Sequence, residues 1–166
     1  MSDALGPLEI LLAEREIQRT HFRFFQLADA GDYARLAREC FTPEADIEYT
    51  IMPGPPQRFH GRDEFARFML AGGRRPGPAV AHVAGQSSID WSSGRPHLSG
   101  YATVWHWAAT RTASGEHRPA DWTTIGRIED DYEEAGDRWL IARRHVSPAA
   151  GLVATGSAPG LGRPAR

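Results

Sequence analysis

The sequence predicts an α+β domain, and three observations carry that reading. Apolar residues recur at helical spacing mainly in the first half of the chain. Strand-like alternation dominates the second half. Compact turn sequences such as Ser92-Ser93-Gly94-Arg95-Pro96 and Glu134-Ala135-Gly136-Asp137 divide those strands. At 166 residues the chain is long enough for one real core and short for two. A single domain is expected over residues 1–148, followed by a mobile Gly/Pro/Ala-rich tail over 149–166.

The first helix is expected from about Pro7 to Ala30. Proline suits a first helical turn, and Ile10, Ile17, Phe24 and Ala28 form a stripe with Phe25 beside it. His21 lies on the same stripe and reads as a core histidine with its hydrogen bonds satisfied. Gly31 ends the helix, and Asp32 is placed to cap a short second one, Tyr33 to Cys40. Phe41 to Ala45 reads as a turn because Pro43 cannot continue a helix. Asp46 to Ile51 alternates like a strand, with Ile47, Tyr49 and Ile51 on one face. Pro53 to Gln57 reads as a loop, and Arg62 to Ala71 as a third helix. Four strands follow, near Ala79–Trp91, His97–Ala109, Trp122–Tyr132 and Arg138–Ser147. Gly72 to Pro78 reads as a mobile lip between helix and sheet.

Composition narrows the chemistry. The net charge of -2 offers no basic footprint for nucleic acid. Cys40 is the only cysteine, which excludes an internal disulfide and disfavours a thiolate metal cluster. All 19 basic residues are arginine, so no lysine amine is present to form a Schiff base. The seven histidines lack the close spacing of a metal-binding helix motif, and no phosphate-binding loop is present. Neither a metal nor an organic cofactor is therefore expected. Leu8 to Leu12 is too short for a membrane span and runs straight into Glu14-Arg15-Glu16, so a cytoplasmic location with no membrane partner is expected.

Several phrases, in order, resemble the SnoaL-like polyketide cyclases and dehydratases of the nuclear-transport-factor-2-like superfamily. They are Leu12-Ala13-Glu14-Arg15-Glu16-Ile17, Asp29-Ala30-Gly31-Asp32-Tyr33, Phe41-Thr42-Pro43-Glu44-Ala45-Asp46 and His60-Gly61-Arg62-Asp63-Glu64-Phe65, then His82, Gly126-Arg127-Ile128-Glu129-Asp130 and Trp139-Leu140-Ile141-Ala142-Arg143-Arg144. The resemblance spans about residues 10 to 148. It implies a cone-like, curved antiparallel sheet with three helices covering one face. It also implies a cofactor-independent dehydratase, isomerase or cyclase acting by enolisation on a polycyclic or polyketide-like molecule. The superfamily also contains the β subunits of ring-hydroxylating dioxygenases, so a non-catalytic binding or assembly subunit is the competing reading. Trp91, Trp105, Trp107 and Trp122 could crowd one strand face as an interface, and a homodimer is expected ahead of a trimer.

The resemblance to scytalone dehydratase and bile-acid dehydratase also implies site residues. His82 matches the base and Asp29 its carboxylate partner, with Asp32 as the alternate. A carboxylate on one imidazole nitrogen fixes the tautomer and leaves the other nitrogen basic. Tyr49 matches a first-strand tyrosine able to donate to a substrate carbonyl. His106 is a second acid or base candidate. The bland alternatives are a histidine bonded to backbone at 82 and a core tyrosine at 49. One departure stands out: Ala28 occupies the place of the tyrosine that precedes the aspartate in scytalone dehydratase. Phe24, Phe25, Phe65 and Phe68 are expected to line an aromatic pocket, and Arg127 to bind an acidic group, although a solvated role for Arg127, Glu129, Arg143 and Arg144 competes.

Overall fold

The computed structural model describes residues 6–51, 54–73 and 79–149. The expected tail beyond Ala149, and most of the expected lip before the third strand, lie outside the described residues.

Helix α1 runs Pro7–Asp29. Pro7 occupies its first turn, and the Gly6 amide donates to Glu9 Oε2 at 2.7 Å. Its buried face carries Ala13, Ile17, Thr20, His21, Phe24, Phe25, Leu27 and Ala28. Each large apolar side chain on that face stabilises the fold by about 1.5–3 kcal/mol through burial. The other face leaves Leu8, Leu11, Leu12 and Phe22 exposed. Gly31 stops the helix at φ 68°, a conformation that disfavours any residue with a Cβ. Helix α2, Tyr33–Cys40, starts at the Asp32 cap, whose Oδ1 accepts the Arg35 amide at 3.2 Å.

Strand β1 covers Phe41–Tyr49, so the segment expected as a turn is extended instead. The turn-like Pro43 falls in a break of register between Phe41 and Asp46, and pairing with the last strand resumes beyond it. A short strand β2, Gln57–His60, was not anticipated because its residues sit beside the proline-rich loop. It pairs antiparallel with β1. Helix α3, Arg62–Gly73, follows at once. The turn between them needs Gly61, where φ is 84° and a Cβ would lie 3.1 Å from the Pro43 carbonyl oxygen. Strands β3 (Ala79–Asp90), β4 (His97–Trp107), β5 (Trp122–Ala135) and β6 (Arg138–Pro148) complete a six-stranded sheet in the order β2-β1-β6-β5-β4-β3. The sheet is mixed: β1 pairs parallel with β6, the last strand of the four-stranded meander β3–β6. Register breaks at Ala84/Ser87 and Asp131/Tyr132 mark places where the strands bend.

The helices cover one face, and the core lies between them and the sheet. Phe24 meets Phe41 edge-on at 5.8 Å, and Phe65 meets Phe41 and Phe59 at 5.5 and 5.4 Å. Cys40 is fully buried, and burial pushes its thiol up to about 12, so it is an inert core residue. Trp91 packs edge-on against Trp139 and donates to Glu14, and Trp122 stacks on His106. Of the four tryptophans expected to crowd an interface, these two are thus held inside other contacts. Trp105 and Trp107 fall on the opposite face with Tyr101 and Thr103.

That opposite face also carries a charged cluster. His97 Nδ1 lies 2.6 Å from Asp131, and Nε2 lies 2.6 Å from Glu129, which also accepts from Ser99 and Arg127. Burial would lower the His97 pKa, but its two carboxylate partners outweigh this and raise it above 6.5. A raised folded-state pKa means that the stabilisation is fully present below the unfolded value of about 6.5 and fades as pH rises through the folded value. His97→Gln should therefore lower Tm at about pH 6 by roughly 1–4 °C, from a loss of about 0.5–1 kcal/mol. The loss should shrink toward zero at about pH 9. Thermal melts of both proteins at the two pH values check this, and an equal loss at both would contradict it.

Candidate functional site

The end of α1 and the start of β3 meet at one wall of a cavity. Asp29 is the last residue of α1, and His82 lies early in β3. His82 Nδ1 and Asp29 Oδ1 are 2.6 Å apart, and the His82 amide also donates to both Asp29 oxygens at 3.2 Å. The carboxylate therefore grips one residue through ring and backbone together. With Asp29 ionised, Nδ1 carries the proton and donates it. Nε2 makes no hydrogen bond to a described residue. The ring lies against Phe25, with centroids 5.2 Å apart and planes 29° from parallel. Asp32 does not reach this wall and is occupied as the α2 cap.

The cavity has a volume of about 230 Å³, just below the usual range for small-molecule sites. Its apolar lining comes from Phe24, Phe25, Ile51, Phe59, Phe65, Phe68, Met69, Ala102, Val104, Gly126, Ile128 and Val146. All four phenylalanines named from the sequence are thus at the cavity, joined by Phe59. Gly126 keeps space open on the floor, since a Cβ there would sit 3.0 Å from Ile51 Cδ1. Among the described residues the polar groups of the lining are few: Tyr49, Gln57, His82, His106, Thr124 and Arg144.

Tyr49 stacks parallel to Phe65 at 5.9 Å, and burial raises its pKa against the opposing pull of Arg144, so the phenol keeps its proton at neutral pH. His106 lies diagonally across from His82 on the same face of the β3–β4 pair. It stacks face to face on Trp122 at 3.4 Å, and its Nε2 is buried with no hydrogen-bond partner. Burial, aided by the charge of His82, pushes His106 down to about 4, so it stays neutral near pH 7.

Arg127 is not at the cavity. It is exposed on the opposite face of β5, where it pairs with Glu129. Alternation along β5 turns Gly126 and Ile128 inward and Arg127 outward. The arginine at the cavity is Arg144, which sequence reading grouped with the solvated positions. Only 1% of Arg144 is accessible. Its Nε and Nη2 donate to the two oxygens of Asp130 at 2.8 and 2.6 Å, and its guanidinium stacks on Phe24 at 3.9 Å. Burial would raise the Asp130 pKa and lower that of Arg144, but each charge outweighs this for the other, and both stay ionised. A signal existed: Asp130 shares a strand face with Ile128, and an aspartate on an apolar face needs a cation. His21 sits beneath this pair with Nδ1 3.9 Å from Asp130, and neither ring nitrogen has a hydrogen-bond partner. The satisfied core histidine expected there is buried but not satisfied.

Among the described residues no group of three His, Cys, Asp or Glu side chains could hold a metal ion, and no helix is long and apolar enough to cross a membrane.

The SnoaL-like domain family model matches residues 9–145. The chain belongs to the SnoaL-like domain family. Its fold is similar to ActVI-ORFA from Streptomyces coelicolor, at 17% identity and TM-score 0.64, covering 82% of this chain and 96% of that one. A protein from Catenulispora acidiphila solved in complex with S-DNPA matches at 23% identity and TM-score 0.61, covering 81% and 92%. A provisionally assigned scytalone dehydratase from Novosphingobium aromaticivorans matches at 19% identity and TM-score 0.60, covering 88% and 93%. No curated protein matches the chain. At these identities the likeness establishes the fold.

The geometry of this SnoaL-like domain makes a direct prediction for His82. Nitrogen-15 NMR of the neutral imidazole should show Nδ1 protonated and Nε2 bare. Asp29→Asn should redistribute the proton between the two nitrogens, because an amide can face the ring as donor or acceptor. Asp32→Asn should leave the His82 signals in place, because asparagine caps α2 about as well. The opposite ranking would assign the wrong carboxylate to His82.

Proposed function

We propose that this SnoaL-like domain is a cofactor-independent acid–base enzyme, a dehydratase, isomerase or cyclase acting on a flat carbonyl compound. The observation that carries the reading is the His82–Asp29 pair, which sets an imidazole with one bare nitrogen on the wall of an aromatic cavity. The SnoaL-like family and the provisionally assigned scytalone dehydratase among the similar folds support the same class.

In this reading Nε2 of His82 removes a proton from a carbon next to the substrate carbonyl. The C–H electron pair moves into the carbonyl, and the oxygen gains negative charge. Tyr49 donates a hydrogen bond to that oxygen. Asp29 supports the imidazolium that forms. The proton then has three possible destinations. On a departing hydroxyl it releases water; on another carbon it completes an isomerisation; and if the enolate carbon attacks a second centre, the proton neutralises the oxygen formed there. His106, neutral at pH 7, is placed to hold a hydroxyl of the substrate. Ala28 is buried in the core, so the phenol that scytalone dehydratase carries at that place has no counterpart. Tyr49 and His106 are left to do that work.

Partner choice follows from the uncovered face. Val83 and Tyr101 are exposed there, beside half-buried Trp105 and Ile125. A sheet face with this apolar content is suited to a second copy of the chain. Light scattering at micromolar concentration should give a dimer mass, and a clean monomer mass would remove this proposal.

The enzymatic reading is tested without the natural substrate by following deuterium exchange from solvent into the α-carbon of α-tetralone. The wild type should accelerate exchange. His82→Gln should reduce the acceleration by about 10²–10⁴-fold, because glutamine cannot shuttle the proton. Asp29→Asn should reduce it strongly, Tyr49→Phe by a smaller factor, and Asp32→Asn hardly at all. Full exchange activity in a folded His82→Gln protein would remove the proposed base.

A further inference from the structure

We infer that the cavity selects ligands whose enclosed part carries no net charge, and that Asp130 is the residue that sets this preference. The inference rests on the cavity being the ligand site and adds the charge class of the ligand.

Among the described residues, the only permanent cation lining the cavity is Arg144. Its charge is consumed from behind by Asp130, through two hydrogen bonds in a region where Asp130 is 0% and Arg144 1% accessible. A carboxylate entering the cavity would lose its hydration and meet a cation already neutralised. At the other wall, the Asp29 carboxylate stands 2.6 Å behind His82 and repels a second anion. His106 brings no charge near neutral pH, because burial holds it down to about 4. Tyr49 keeps its proton for the same physical reason. What remains is a set of dipoles: the Tyr49 phenol, the neutral His106 imidazole, Gln57 and Thr124, beside the His82 ring that Asp29 backs. Dipoles suit ketones, phenols and esters, whose oxygens accept one or two hydrogen bonds without a full charge to be offset. The surrounding aromatic rings match the flat apolar body of such a ligand.

Asp130 thus acts on ligand choice through Arg144, without touching the ligand. Tyr132, whose hydroxyl reaches Asp130 at 3.5 Å, and His21 at 3.9 Å are the other groups that face its carboxylate. Removing the Asp130 charge while keeping its shape would turn the cavity floor cationic.

The test compares methyl β-naphthyl ketone with β-naphthoate, which differ in a methyl group against a charged oxygen. Both are titrated into the intact protein by calorimetry at about pH 7.5. The wild type should bind the ketone at least about fivefold more tightly, since an unpaired charge is costly to enclose. Any smaller ratio overturns the inference. Asp130→Asn, checked for folding by circular dichroism, should shift the ratio toward the acid by about tenfold or more. An unchanged ratio in the folded variant also overturns it. If Asp130→Asn does not fold, the wild-type ratio decides, supported by naphthoate binding that is weak at low salt as well as high. Equal binding of both ligands removes the charge preference and leaves the ligand cavity standing. No binding of either removes the cavity reading itself.

Discussion

A complete ion pair is closed inside this domain, and the rest of the core is arranged around it. Taking Arg144 and Asp130 out of water costs several kcal/mol for each charge. Their twofold hydrogen bond recovers much of that cost, and the Phe24 ring beneath the guanidinium adds a cation–π contact. Neither charge tolerates loss of the other. This ties β5 to β6 at the depth where α1 crosses the sheet, and it fixes the electrostatics of the cavity floor. His21, Phe24 and Phe25, close together on α1, touch or approach this pair and the His82 wall respectively. One stretch of helix therefore connects both ends of the site.

The second constraint is where α1 stops. Gly31 breaks the helix two residues after Asp29, so the carboxylate sits in the last turn with its backbone still helical. From there it bridges to β3 through both the ring and the amide of His82. The bond is at once a tertiary clamp and a chemical device: it seats the strand against the helix end and sets the imidazole tautomer. Phe25, one turn earlier, supplies the flat surface on which the ring rests. Nε2 of His82, the nitrogen proposed as the base, is thus positioned by rigid elements, which is what acid–base chemistry at a fixed geometry requires.

Much of the fold was legible because its signals are local. The α1 stripe, the Gly31 stop, the Asp32 cap and the turns of the meander each reflect chemistry within a few residues. The extended path of Phe41–Ala45 and strand β2 escaped for the converse reason. Pro43 and the proline-rich loop read as breakers, and only pairing with distant β6, or with β1, makes those residues strands. The parallel β1–β6 pair has no local signature at all.

For the site, sequence alone determined the chemical inventory: no lysine, one cysteine, a handful of histidines, and phenylalanines at helical spacing. The family resemblance pointed to Asp29 and His82, and alternation put Tyr49 on the face of Ile47. What sequence could not assign was facing among similar residues. Arg127, Arg143 and Arg144 look alike on paper, yet one lies over the cavity floor and two do not. That choice is made by strand register, which sets Asp130 opposite Arg144 with both turned inward. A one-residue slip would reverse every side chain of the strand, so the identity of the buried arginine belongs to the tertiary structure.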